Sequence, residues 1–263
     1  MIMQDITEIL NDFAPEEITE SWDNTGFLLG DINDKVSKIL LCLDVTEGVI
    51  TESIENNVDL IISHHPFIFN SVKRITADDV LGNKILRLIK NNISVYSSHI
   101  PLDLTQGGTN DTLFEKLELI NKGNFMIEEA NGFSLGRTGY LKESLSLKDF
   151  SLKIKNAVGV PYLNVVGDLE KKINKVALCT GSAGRFKYMQ TAIKENCDIY
   201  ITSDIDHHDA LDGSELGLCL VDATHYGTEF MVTETLKNLL ESKVDESVEI
   251  IIATKNEPIF KTL

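Results

Sequence analysis

Positive charge is scarce in this sequence: 24 lysines and arginines face 41 aspartates and glutamates, a formal net charge of -17. A surface of that sign repels phosphate backbones at long range, which disfavours nucleic acid as a partner. A small anion can still bind where metal ions reverse the local field. No apolar run reaches the ~18–20 residues that span a bilayer, so no membrane role is expected. The opening MIMQDITEIL is acidic and has neither a basic stretch nor a cleavage site, so it does not read as a signal peptide. A cytoplasmic location is expected. Only four cysteines occur, Cys42, Cys179, Cys197 and Cys219, none in a CxxC pair and each in or beside an apolar run. That pattern excludes a zinc ribbon and predicts buried, reduced thiols. The single tryptophan, Trp22, lies in the polar stretch SWDN, where packing is its expected role.

What is present is a 263-residue chain with 43% hydrophobic residues, enough for one large domain or two modest ones. Short apolar runs alternate with longer amphipathic stretches, the pattern of an α/β protein. Strands are predicted at Ile39–Leu43, Leu60–Ser63, Ser94–Ser97, Lys175–Thr180, Ile199–Thr202, Leu218–Asp222 and Val248–Ala253. Helical periodicity runs through Ile2–Phe13, Gly48–Asn56, Gly82–Asn91, Asp111–Leu117, Leu147–Ala157, Tyr188–Glu195 and Glu229–Glu241. The glycine-dotted segment 123–147 reads as a crossing between two α/β lobes. Residues 1–125 with 220–263 are expected to form the first, carrying most of the site residues, and residues 126–219 the second.

The six histidines carry the chemistry. His64, His65, His99, His207, His208 and His225 all come directly after predicted strands, and ligands collect at the carboxyl ends of strands in open α/β sheets. In VDLIISHHPF, adjacent residues of a regular strand point to opposite faces, so His64 and His65 can share one centre only if the backbone turns there. In VYSSHIPLD, Asp103 lies four residues after His99 and offers a hard oxygen donor. In THYGTEF, His225 and Glu229 are spaced to share one face of a helix. Three imidazoles and two carboxylates (His64, His65, Asp103, His225 and Glu229) exceed the three protein ligands of an open catalytic zinc. They suit two divalent ions; zinc, manganese, iron and nickel are all compatible with the donor set. A further stretch, YITSDIDHHDAL, supplies Asp204, His207 and His208 after another strand. His99, Asp204 and His208 are the candidates for substrate contact or proton transfer. VALCTGSAGRF reads as a tight strand–helix turn; it lacks the lysine of a P-loop.

At these residues the sequence resembles the Ngg-one-interacting-factor-three-like family, whose members include GTP cyclohydrolase 1 type 2 homologues. SWDNTGFLLGD, DLIISHHPFIF, SSHIPLDLTQGGTND, GRTG, TGSAG, YITSDIDHHDALD and THYGTE carry the resemblance in order along the whole chain. The sequence departs from the family at Thr202-Ser203-Asp204, usually TGD or TGE, at Thr224, often glycine, and at His207, commonly aromatic. The resemblance implies a dinuclear metal centre on the five ligands above. It also implies two similar, interleaved α/β lobes with mixed sheets, the site at strand ends in the cleft between them, and a toroidal homohexamer. The reaction it suggests is metal-dependent hydrolysis of a nucleotide or another phosphorylated small molecule. The alternative is a non-catalytic scaffold that stores or delivers metal.

Overall fold

The structure is a computed structural model that describes residues 1–127 and 133–261. In chain order its elements are α1 (Met3–Phe13), β1 (Gly26–Leu29), β2 (Lys38–Cys42), α2 (Glu47–Glu55), β3 (Leu60–Ser63), α3 (Val80–Lys90), β4 (Ser94–Ser97), α4 (Ile100–Leu104), α5 (Thr109–Lys116), β5 (Ile120–Ile127) and β6 (Ser134–Ser146). There follow α6 (Leu147–Val158), β7 (Asn164–Val166), β8 (Lys172–Leu178), α7 (Phe186–Lys194), β9 (Ile199–Thr202), α8 (His207–Glu215), β10 (Cys219–Asp222), α9 (His225–Glu229), α10 (Val232–Glu241) and β11 (Glu249–Ile252). No described helix is long and apolar enough to cross a membrane.

The chain divides into two compact units. The first comprises Met1–Leu102 and Thr233–Ile259, the second Asp103–Val232 and Phe260–Leu263. The first unit holds a five-stranded mixed sheet in the order β1-β4-β3-β2-β11. Its strands β4, β3, β2 and β11 are parallel and β1 is antiparallel to β4. β3 and β4 are buried along their whole length, which is why neither alternates apolar with exposed polar residues, and Leu60, Ile61 and Ile62 follow one another in β3. Leu40, Ile61 and Val95 from the sheet pack with Val49 and Ile50 of α2 and with Ile85 and Leu88 of α3. Helix starts follow the usual chemistry: Thr46 accepts a hydrogen bond from Val49 N–H and Asp79 from Gly82 N–H. Trp22, expected to pack, is instead 55% exposed.

The returning C-terminal segment is fastened to the first unit by polar groups. β11 pairs in parallel with β2, Ile250 opposite Ile39. The Glu52 carboxylate accepts the backbone N–H groups of Thr254 and Lys255. Asn256 Oδ1 accepts those of Leu43 and Asp44 at the end of β2.

The second unit is built on a six-stranded mixed sheet, β5-β6-β8-β9-β10-β7, with β8, β9 and β10 parallel. One face buries Leu113, Phe150, Ile154, Val176, Ile199 and Val221; the other buries Phe125, Met189, Tyr200 and Leu220. Residues 103–125 and 220–232, expected in the first lobe, lie in this unit. β5 pairs with β6, and Leu113, Phe114 and Leu117 of the α5 region belong to the same core cluster. β6 was concealed in the sequence by Gly136 and Gly139. A Cβ on the first would lie 2.4 Å from the Leu178 carbonyl oxygen, and on the second 2.5 Å from the Phe114 ring. These glycines mark close approach inside a strand rather than a loop. The helix expected over 229–241 is α10 and starts three residues later, at Val232, because Glu229 closes the separate short helix α9. All four cysteines are free and buried, as their apolar settings predict.

Candidate metal centre

In the first unit three imidazoles converge. β3 stops at Ser63, and the chain bends through His64 and His65 while their N–H groups continue the ladder to the Cys42 and Leu43 carbonyls. That bend is what lets neighbouring histidines turn toward one point: their ring centroids are 5.2 Å apart, and His99, just past β4, lies 5.3 and 5.7 Å from them. Each ring offers a nitrogen within 4.8 Å of the others. His99, expected only as a proton carrier, therefore belongs to the same donor cluster.

Each ring is also fixed in its tautomer. His64 Nδ1–H donates to the Ser98 carbonyl at 2.8 Å, His65 Nδ1–H to Asp44 at 2.8 Å and His99 Nδ1–H to Asp23 at 2.7 Å. With Nδ1 carrying the proton, the neutral ring presents its lone pair at Nε2, the arrangement by which outer carboxylates and carbonyls orient metal-binding histidines. The Asp23 side chain is fully buried and also accepts the Thr19 hydroxyl at 3.0 Å. Burial raises its pKa, but hydrogen bonding and charge from His99 outweigh that, and the carboxyl sits below its ordinary value.

In the second unit Asp103, His225 and Glu229 form the complementary set. α9 begins at Thr224, whose hydroxyl accepts Gly227 N–H, and its single turn places His225 Nε2 3.1 Å from Glu229 Oε2. His225 Nδ1–H donates to Asp204 at 2.7 Å, the same fixing seen in the three rings of the first unit. Burial opposes charge on His225, yet its hydrogen bonds to Asp204 and Glu229 push the pKa up to about 11. The ring therefore holds a proton between two carboxylates at a place where a cation could substitute for it. The Glu229 carboxylate is buried, and oxygens of Asp103 and Glu229 lie within 4.8 Å of each other. Three of the five expected ligands thus belong to the second unit.

Three supports of this set, Gly181, Arg137 and Asn110, were not legible as functional residues. Gly181, in the turn after β8, has φ +68, and a Cβ there would lie 2.1 Å from Glu229 Oε1; the carboxylate occupies the space a side chain would need. Arg137, in β6, is buried and paired with Asp111, which also takes Lys122 Nζ at 2.8 Å. Its guanidinium donates to the carbonyls of Leu104 and Thr105, the two residues after Asp103. Asn110 donates to the Asp103 carbonyl at 3.1 Å and accepts Thr180 N–H at 2.9 Å, linking the Asp103 turn to the Gly181 turn. The signals were there, a charged residue between glycines in GRTG and a polar TND run, but neither names its partner.

The family model Duf34/NIF3 (NGG1p interacting factor 3) matches residues 1–258. The chain belongs to this family. Among its relatives, the "GTP cyclohydrolase 1 type 2 homolog" of Clostridium perfringens is 36% identical, with 99% of each chain covered. The "NGG1-interacting factor 3" of Saccharomyces cerevisiae is 32% identical over 92% of this chain and 90% of that one. A crystal structure of a Staphylococcus aureus protein superposes with a TM-score of 0.91 at 28% identity, covering 100% of this chain and 99% of the other.

Thr224 has φ 63 and ψ 145, a conformation that a β-branched residue adopts only at a cost. Asp204, expected to meet substrate or move a proton, accepts the Nδ1 proton of His225 and itself sits at φ 56. His207 and His208 are exposed at the start of α8, their rings 5.2 Å apart edge to face.

The donor set fits divalent ions. Its imidazoles are oriented for Nε2 ligation, its carboxylates are hard oxygen donors, and the space beside Glu229 is kept open by a glycine.

Proposed function

We propose that this protein binds two divalent metal ions through His64, His65, Asp103, His225 and Glu229. On that basis it acts as a metal-dependent hydrolase on a nucleotide or another phosphorylated small molecule. One observation carries the reading: in all four histidines of the two donor clusters Nδ1 is committed to a carbonyl or carboxylate, which leaves Nε2 as the ligating atom of His64, His65 and His225. Structural histidines have no reason to share one tautomer. Bound divalent ions supply Lewis acidity toward a substrate oxygen and toward water.

The chain's own residues then have separable parts. Asp44 and Asp204 hold His65 and His225 in the ligating tautomer. His99, its Nδ1–H anchored on Asp23, offers Nε2 to accept a proton beside the ligands. His208, exposed at the start of α8, is the remaining candidate for substrate contact or proton transfer. A nucleotide substrate is supported by the name its relatives carry, GTP cyclohydrolase 1 type 2 homolog. A homohexamer is the assembly expected for the family.

Metal stoichiometry tests this directly. Untagged protein purified without chelator should contain close to two transition-metal ions per chain by plasma mass spectrometry. His64→Ala should lower that number while leaving the far-UV circular dichroism spectrum unchanged. A native value near zero that reconstitution cannot raise would overturn the reading.

A further inference from the structure

The turn that delivers Asp23 to His99 also presents an aromatic ring that no part of the metal reading uses. Trp22 is 55% exposed and Phe69 47% exposed, large rings left in water beside a polar cluster. Their centroids are 6.2 Å apart with the planes tilted by 50°, and Trp22 stands edge to face against His99, also at 6.2 Å and at 78°. Neither ring sits on a loose segment. Next to Trp22, the buried Asp23 carboxylate accepts His99 Nδ1–H and Ile100 N–H. Next to Asp23, the Asn24 amide donates to the carbonyl of Ile68, the residue before Phe69. One short stretch thus pins both rings and the third imidazole of the donor cluster.

We propose that Trp22 and Phe69 form a stacking subsite for a planar aromatic ring carried by the small-molecule ligand of the metal centre. The proposal rests on the reading that the neighbouring histidines serve bound metal. Exposed aromatic faces bind rings of any base identity by stacking. A platform bordering the cluster would hold such a ring while the remainder of the ligand reaches the metals. Trp22 stands against His99, whose ring nitrogen lies within 4.8 Å of those of His64 and His65, so a ring stacked on it stays within reach of the donor cluster. A small planar ligand is therefore the occupant that fits, rather than a second copy of the chain.

The subsite contains the only tryptophan, so its emission reports occupancy without a label. The metal-loaded native protein is titrated with guanosine monophosphate, with ribose phosphate as the ring-free control. The monophosphate should quench the emission saturably and ribose phosphate should not. Phe69→Ala, which keeps the reporter, should weaken binding several-fold. By calorimetry Trp22→Ala should weaken it roughly 5- to 150-fold and Trp22→Phe should restore most of the loss. Metal content should be unchanged in all three variants. Absence of metal from native protein would be a failure of the metal reading. Full metal with no tryptophan response at millimolar nucleotide, or an equal response to ribose phosphate, overturns the stacking subsite alone. So does emission that follows protein concentration instead of ligand, which would mean a second copy covers Trp22.

Discussion

Replacing Gly181 by alanine isolates the support of one ligand from the fold around it. The added Cβ would lie 2.1 Å from Glu229 Oε1, and ordinary contact begins near 3.4 Å, so the carboxylate must withdraw by about 1.3 Å. Metal–ligand distances tolerate only about 0.2 Å. The variant should therefore lose a large part of its bound metal. The backbone contributes separately: an L-residue at φ +68 costs roughly 1–2 kcal/mol. Gly159 provides the control. It ends α6 at φ +67, and a Cβ there meets nothing within 4 Å. Gly159→Ala should lower the urea midpoint by the backbone cost alone and retain its metal, whereas Gly181→Ala adds the clash with the buried Glu229 carboxylate and should fall further. Plasma mass spectrometry on both, beside urea unfolding, reads the two effects apart. If Gly181→Ala keeps the native metal content, Glu229 is not a ligand held by that turn.

Three further outcomes are expected. Because the folded pKa of His225 is raised to about 11 from 6.5, its proton stabilises the metal-free protein fully below pH 6.5, and that contribution fades as pH rises toward 11. A metal taking Nε2 must displace the same proton, so apparent affinity should rise by about tenfold per pH unit over that range, as calorimetry in buffers of different ionisation enthalpy would show; affinity independent of pH would mean His225 stays protonated and unligated. Thr224→Gly relieves roughly 1–3 kcal/mol of backbone strain and gives up a few tenths for the cap, so urea unfolding should show a gain of about 1 kcal/mol or more, and a loss would refute the strain. Arg137→Met leaves the buried Asp111 charge with Lys122 and the Gly107 N–H alone and should cost about 3–5 kcal/mol, most of it recovered by adding Asp111→Leu; an unrecovered double variant would place the cost elsewhere.

The parallel cores of both sheets were legible because their strands are buried on both faces and read as uninterrupted apolar runs, as in Leu60–Ser63 and Ile199–Thr202. β1, β5, β6 and β7 were not. Each takes part in antiparallel pairing, and their residues are half exposed or glycine-rich, so no apolar run announces them. The candidate donors were picked out by residue type and by position after strands. Their partners were not: Asp44 is 21 residues from His65, and Asp23 is 76 from His99. Such pairings are set by which strand ends share a sheet edge, which no local pattern encodes. Gly181 was read as turn chemistry, and only the position of Glu229 shows why no side chain is tolerated there.

The attachment of the C-terminal segment sets an order of events during synthesis. The second unit is a nearly continuous stretch of chain and can fold as soon as it leaves the ribosome. The first lacks its edge strand until residue 252 has emerged, and the Asp44 backbone is secured only when Asn256 arrives. Asp44 is the group that orients His65. The His65 side of the first unit's donor cluster is thus completed only once Asn256 has been made, long after the strand that carries it.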